Sequence, residues 1–309
     1  MKPMTIVIPF LNEGEEPRRT IESIFDTTDS SLFKIIAVDD CSDEPCDLTG
    51  FNDLRYVRNR SRIGSGASKH RGGMLTDTPY IFIIDAHMRF KNDNWLIKIL
   101  ECLEKNKNTI YCTTCLGLDE KNMDVYKAKG KYCGANLLMY GNQAPGRPAR
   151  EVLEPKWASA QGSIEYEIPC ILGANYGFTK SWFNKIQGIK GLKMWGSEEP
   201  FWSLKTWLAG GDCRIRTDIE IGHKFRTNAP YATHVYYLIY NKIYIFKTIF
   251  PEYLAEKLID QMPRGQSYDL ALNLIKKNSD EIEKDRRYYK SIFTRTIEEY
   301  CERFNVALP

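Results

Sequence analysis

The stretch Tyr80-Ile81-Phe82-Ile83-Ile84-Asp85-Ala86-His87 is an apolar run followed at once by a carboxylate and an imidazole. A run this short without polar alternation predicts a strand buried on both faces. Working outward, the same pattern recurs at Thr5–Phe10 (TIVIPF) and at Phe33–Val38 (FKIIAV), the second stopping at Asp39-Asp40-Cys41-Ser42. Leu54–Val57 reads as a third strand in chain order. Between them, Glu15–Phe25 reads as a helix with Pro17 in its first turn and Ile21, Ile24 and Phe25 as apolar positions. Ser65–Thr76 and Asp93–Glu104 read as further helices, the latter capped by Asn92 or Asp93. Strands alternating with helices predict an α/β class with a Rossmann-like, mostly parallel sheet flanked by helices. Ligands of such sheets bind beyond the carboxyl ends of the strands, and the polar residues after Ile8, Val38 and Ile84 fall there.

The bulk composition narrows the field without naming a function. Across 309 residues, 43% hydrophobic and 27% charged content exclude a disordered or fibrous chain. A formal net charge of +3 is too small for the global field of a nucleic-acid binder. The apolar stretch Met1–Phe10 lacks the features of a secretory leader, and no segment supplies the ~20 apolar residues a membrane crossing needs. Nine cysteines at scattered spacings fit a reducing compartment, so a soluble cytoplasmic protein is expected. Cys112 and Cys115 form a C-x-x-C pair that could hold zinc or cycle as a dithiol; with no second pair at zinc-finger spacing, buried thiols are the better reading.

The alternation breaks at 119–170, a polar insertion containing Gly141-Asn-Gln-Ala-Pro-Gly-Arg-Pro148. Between Lys121 and Lys156, the basic Lys121, Lys127, Lys129, Lys131, Arg147, Arg150 and Lys156 outnumber Asp124, Glu151 and Glu154, so that stretch is locally positive, and the insertion is expected to face the acceptor or to be mobile. An aromatic stretch, Tyr231–Phe250, is followed by two helical patterns, Tyr253–Gln261 and Tyr268–Phe304, the second with room for an interruption, parted by a turn at Pro263-Arg264-Gly265. The expected division is a catalytic domain over 1–250, comprising a nucleotide-binding half (1–118), the insertion (119–170) and a sugar and acceptor half (171–250), with a helical C-terminal extension over 251–309.

A carboxylate and an imidazole at a strand end can hold a divalent cation, and such a cation can bridge the phosphates of a nucleotide. This pairing favours manganese or a similar transition metal over calcium. A bare D-x-H is equally compatible with a turn-capping Asp and an exposed His. The ordered set Val7-Ile-Pro-Phe-Leu-Asn-Glu13, Val38-Asp-Asp-Cys-Ser42, Asp85-Ala-His87, Trp95-Leu96, Trp195-Gly-Ser-Glu198 and Ile221-Gly-His-Lys-Phe-Arg226 goes further. Over about Met4 to Tyr231 the chain resembles the glycosyltransferase A-type fold, and more closely the catalytic domain of the polypeptide N-acetylgalactosaminyltransferases; family 2 glycosyltransferases are more distantly similar.

That resemblance implies a metal-dependent enzyme moving a sugar from a UDP-sugar to a hydroxyl acceptor with retention of anomeric configuration. It implies Asp85, His87 and His223 as ligands of Mn2+ or another divalent cation. Asp39 and Asp40 stand where relatives read the uracil ring, with Asp40 the favoured of the two, and Pro9 and Phe10 flank the nucleoside. Arg62 matches a nucleotide-contacting arginine and Lys69 follows it on the next helix. Gly173-Ala174-Asn175 matches a segment lining the sugar pocket, but Ala174 replaces a glycine and Asn175 an apolar residue, which leaves the donor sugar open. Glu198 matches a carboxylate on the donor sugar, Trp195 a residue of a closing loop, and Arg226 and Tyr231 residues of a loop over the phosphates.

Candidate acceptors are a polypeptide Ser or Thr or a glycan, with a hydroxymethylated base in DNA as the alternative. The basic segment Lys121 to Lys156 and the aromatic stretch give DNA a physical footing, but a solvated loop and a packed core explain the same residues better. Other classes stay open. Glu198-Glu199 resembles the acidic pair of inverting enzymes, in which one carboxylate is a general base. A non-catalytic nucleotide-sugar binding protein would retain Asp40 and Arg62 without an intact metal triad, and a nucleotidyltransferase would lack the Trp195 and His223 motifs.

Overall fold

The computed structural model describes residues 2–140, 152–226 and 230–309. The Gly141–Pro148 tract, Arg147, Arg150 and Glu151 therefore lie outside the described residues. Twelve strands are described, β1 (Met4–Phe10), β2 (Phe33–Asp39), β3 (Leu54–Arg58), β4 (Tyr80–Ile84), β5 (Met88–Phe90), β6 (Thr109–Leu118), β7 (Gly130–Tyr132), β8 (Ala135–Leu138), β9 (Glu154–Trp157), β10 (Glu165–Glu167), β11 (Asn175–Thr179) and β12 (Asp212–Lys224). Helices α1 (Glu16–Thr27), α2 (Ser65–Leu75) and α3 (Trp95–Lys105) alternate with the first strands, and α4 (Lys180–Lys185) and α5 (Glu198–Leu208) precede β12. The chain ends in α6 (Val235–Ile249), α7 (Glu252–Asp260), α8 (Gln266–Lys277), α9 (Ser279–Ile292) and α10 (Ile297–Phe304).

The main sheet runs β10-β12-β6-β11-β4-β1-β2-β3, with β5 joined to β12 and β7 to β6. The block β4-β1-β2-β3 is parallel, as the sequence predicts. Beyond β4 the sheet is mixed: β11 runs antiparallel to both β4 and β6, while β6 and β12 are parallel. The uniformly apolar strands are explained by two cores. Ile6, Ile8, Ile35, Ala37, Phe82 and Ile84 join the core under α1 and α3, whereas Val7, Ile36, Val38, Ile81 and Ile83 join the core on the opposite face. Alternate side chains of one strand thus enter different cores, and a polar residue is accepted there only where it is paired, as Thr5 of β1 is with Thr78 at 2.7 Å.

Cys112 and Cys115 on β6 belong to opposite cores, which removes them as a metal pair; burial pushes the Cys112 thiol up to about 12. Helix α3 begins two residues later than the sequence predicts, because Asn94 takes a left-handed conformation and Asp93 accepts from the Trp95 amide at 3.2 Å. The insertion is more ordered than expected, with β8 and β9 forming a small antiparallel sheet. The aromatic stretch is helix α6, and the expected long final helix is broken at Asn278 and again over 293–296. Helices α6 to α10 contribute Tyr244, Leu258, Ile282, Tyr289 and Tyr300 to the same core as β1, β4 and β6. No helix among the described residues is long and apolar enough to cross a membrane.

Candidate metal and nucleotide-sugar site

The cleft at the carboxyl ends of β1, β2 and β4 is built by strand register. Strand β4 ends at Ile84 and the chain turns through Asp85-Ala86-His87 into β5. That turn is pinned from below by Thr20 of α1, whose hydroxyl donates to the Ala86 carbonyl at 2.8 Å and accepts from the Met88 amide at 2.9 Å. Strand β5 pairs antiparallel with β12 and places Met88 opposite His223, and the Lys224 amide donates to the His87 carbonyl at 3.1 Å. Three side chains distant in sequence therefore meet. The ligand atoms of Asp85, His87 and His223 all lie within 4.8 Å of one another. The two Nε2 atoms are 3.1 Å apart, and His223 Nε2 is 3.3 Å from Asp85 Oδ2.

The protonation states suit metal binding. Burial works against the Asp85 charge, but His223 and Lys69 outweigh it and lower its carboxyl to about 2. Burial keeps His223 below its ordinary value even though Asp85 pulls the other way, so its ring nitrogen is free as a lone-pair donor at neutral pH. Behind His87 stands Glu13, with Oε2 3.3 Å from Nδ1. Its carboxyl is held below the usual range because His87 and Arg226 together overcome the burial penalty. A carboxylate behind a ligating imidazole fixes ring orientation and tautomer. The motif Val7–Glu13 contained Glu13, but nothing in its spacing signalled that role.

The cleft encloses about 970 Å3 counting its open mouth and is lined from three directions. Pro9, Phe10, Asp40 and Arg62 line it together with Lys69, Asp85, Gly173, Ala174, Glu198 and Glu199, and Trp195 and Tyr231 are also on the wall. Asp40 is engaged by the protein as well: Oδ1 accepts from Asn59 Nδ2 at 2.7 Å and the Ile63 amide at 2.9 Å, and Oδ2 from the Gly64 amide at 2.8 Å. Asp39 does not line the cleft; it is fully buried and accepts from Tyr56, Arg58 and the Ser42 amide. Asn175 also stays outside, pairing in β11 and accepting from the Thr113 amide and hydroxyl at 3.1 and 2.6 Å. Arg226 is turned to Glu13 and away from the cleft wall, while Arg62 donates to the Ala232 carbonyl at 2.8 Å and stacks on Tyr231.

Trp195 is 48% exposed and rides on a loop with left-handed residues at Met194, Gly196 and Ser197. The buried Asn241 of α6 clamps that loop, accepting from the Lys193 amide at 2.8 Å and donating to the Lys193 and Gly196 carbonyls at 2.9 Å. Gly64 allows the facing loop to approach, since a Cβ there would lie 2.1 Å from the Met194 Cα. Trp157 of the insertion reaches the cleft wall and stands 6.5 Å from the His223 ring. Neither Asn241 nor Trp157 carries a sequence signal of its own; an apolar helix and a polar insertion both conceal single site residues.

The family model described as Glycosyl transferase family 2 matches residues 5–186. Polypeptide N-acetylgalactosaminyltransferase 10 of Homo sapiens is 28% identical over 239 residues, covering 74% of this chain and 38% of the relative. N-acetylgalactosaminyltransferase 7 of Drosophila melanogaster is 27% identical over 244 residues, covering 74% and 40%. The chain thus spans about two-fifths of the length of these relatives. Among solved structures, GalNAc-T7 with UDP, GalNAc and Mn2+ superposes with a TM-score of 0.70 at 16% identity, covering 98% of this chain and 57% of that one. S. aureus TarS 1-349 in complex with UDP-GlcNAc gives 0.55 at 10% identity, covering 99% and 93%. These two likenesses establish a shared fold.

Proposed function

The chain belongs to glycosyl transferase family 2, and on that premise we propose that it moves a sugar from a UDP-sugar to a hydroxyl acceptor with the help of Mn2+ or a similar divalent cation. One observation carries this reading: a carboxylate and two imidazole nitrogens, held by the β4–β5 turn and by β12, converge within 4.8 Å at the floor of the cleft. The donor set fits a transition metal, and the UDP and Mn2+ named with the GalNAc-T7 structure support the choice. When bound, the metal would neutralise charge developing on the departing diphosphate.

In this reading Pro9, Phe10 and Asp40 receive the nucleoside, Arg62 and Tyr231 the phosphates, and Lys69, Gly173, Ala174 and Glu198 the sugar. Asp39 and Asn175 act from behind, Asp39 by holding the strand-end turn and Asn175 by fixing β11. Trp195 shields the donor from water. Arg226 would exchange its pairing with Glu13 for the diphosphate, adding positive charge as the leaving group departs. The catalytic unit is 1–250, and 251–309 supports it.

Transfer with retention breaks the bond from the sugar C1 to the phosphate oxygen and forms a bond from C1 to the acceptor oxygen on the same face. The acceptor proton passes to the departing phosphate, so no protein base is required. One observation favours a second, inverting reading: burial and the neighbouring Glu198 lift the Glu199 carboxyl to about 7, a value suited to a general base. Proton NMR of fresh product decides between them, since an anomeric configuration opposite to the donor's eliminates retention.

A polypeptide Ser or Thr or a glycan is the proposed acceptor, supported by the relatives' names. The nine unpaired cysteines, two half-buried and the rest buried, support a reducing, cytoplasmic location. The test is hydrolysis and transfer from UDP-sugars with and without Mn2+, on panels of peptides, glycans and hydroxymethylated DNA. Metal-dependent release of UDP is expected. Tight binding of UDP-sugar with no turnover on any acceptor or water would leave only a non-catalytic binding protein.

A further inference from the structure

The cleft lining around Lys69 is rich in hydrogen-bond acceptors. Lys69 is 4% exposed and is surrounded by Tyr176, Asp85, Glu198 and Glu199. Glu198, 3% exposed, uses Oε2 to accept from the Gly196 amide at 2.8 Å, while its Oε1 is buried with no hydrogen-bond partner. Glu199 lies directly against the Gly173 floor: a Cβ on Gly173 would fall 2.0 Å from its Oε1. Its carboxyl is held by its own backbone amide and, among the described residues, no other side chain is bonded to it, so it remains open to the cleft that it lines. Two carboxyls, those of Glu198 and Glu199, thus line the cleft beside Lys69, next to Asp85 of the metal triad.

Free sugar hydroxyls are donors and satisfy such a set one by one. An N-acetyl group keeps one donor, its amide N–H, but adds a carbonyl, which a carboxylate cannot pair with, and a methyl, which gains nothing from a polar wall. A uronic acid adds a further negative charge to the same space. Resting on the sugar-transfer reading of this site, we propose that the donor is a UDP-hexose carrying free hydroxyls, and that Glu199 excludes N-acetylhexosamines and uronic acids. The selectivity departs from the N-acetylgalactosamine named in the relatives. It also accounts for Gly173, because any side chain there would displace the carboxyl that makes the selection.

Isothermal titration in the presence of Mn2+ tests this on the whole chain, using UDP, UDP-glucose, UDP-galactose, UDP-N-acetylglucosamine, UDP-N-acetylgalactosamine and UDP-glucuronic acid. The wild type is expected to bind at least one hexose donor about tenfold or more tightly than either N-acetylated donor or the uronate. Glu199→Gln, whose amide can donate to an acetyl carbonyl, is expected to narrow that ratio while UDP alone binds as before, which also verifies the fold. Equal or tighter wild-type binding of an N-acetylated donor overturns the proposal, as does an unchanged ratio in a Glu199→Gln protein that binds UDP. Failure of the wild type to bind UDP and every UDP-sugar would instead refute the sugar-transfer reading beneath it.

Discussion

Glu13 lines the cleft behind the metal triad, and one of its carboxylate oxygens, Oε2, both braces His87 Nδ1 at 3.3 Å and takes Arg226. Replacing it by Gln removes the charge and keeps the shape, so Mn2+ affinity is expected to fall by about 10- to 100-fold, as for other outer partners of metal ligands. Mn2+ titration monitored by electron paramagnetic resonance checks this, and unchanged affinity would reduce Glu13 to a packing residue. Asp85→Ala and His223→Ala are each expected to abolish metal-dependent UDP release with an unaltered circular dichroism spectrum; full turnover in either would remove the metal assignment. At this scale the sequence was partly legible. Asp85 and His87 stand together after an obvious strand, whereas His223 is 136 residues beyond His87 and was reachable only through the ordered motifs. Asp39 and Asp40 look alike in sequence and both are buried, and only the side each faces separates the one that holds Tyr56 and Arg58 from the one that lines the cleft.

The elements that shape the site are loops closed by contacts from elsewhere. Gly64 has φ 98° and abuts the Met194 backbone, so Gly64→Ala combines left-handed strain with a clash and is expected to displace the Trp195 loop. Loss of UDP-sugar affinity in a protein that still folds is the expected outcome, read by titration; wild-type affinity would show that the loop can yield. Helix α2 carries a second test. Burial, reinforced by Lys205, Lys190 and Lys180, lowers His70 to about 4. The unfolded chain takes up that proton near 6.5, so the stability present above pH 6.5 drains away as pH falls toward 4. His70→Gln is expected to show a smaller drop in Tm between pH 7 and pH 5 than the wild type. Strands β1, β2 and β4 were legible because two cores demand unbroken apolar runs. Helix α6 was not, since a helix apolar on nearly every side loses the period that marks it.

In the whole molecule, the C-terminal helices are not an appendage in packing terms. Tyr244 donates to Asp285 at 2.8 Å, Lys190 donates to the same carboxylate at 2.8 Å, and the buried Lys205 donates to the Ile186 and Gly188 carbonyls beside Tyr289. Deleting 279–309 strips Tyr289, Tyr300 and Ile282 from the core, and buried aromatic losses of about 3–5 kcal/mol each exhaust the usual 5–15 kcal/mol of a domain. The truncated chain is expected to lack a cooperative thermal transition; a sharp one would show that the catalytic unit stands alone. The boundary at 250 follows the end of the aromatic stretch, and contacts that cross it leave no mark in the sequence. All of this architecture brings residues 85, 87 and 223 to one point beside a nucleotide-sized cleft. The most direct measurement is calorimetric titration of Mn2+ into the chain with UDP present, for the wild type and for His223→Ala. One Mn2+ per wild-type chain and none in the variant is the expected result; equal binding by both, or no binding by the wild type, would contradict a metal-centred sugar transferase.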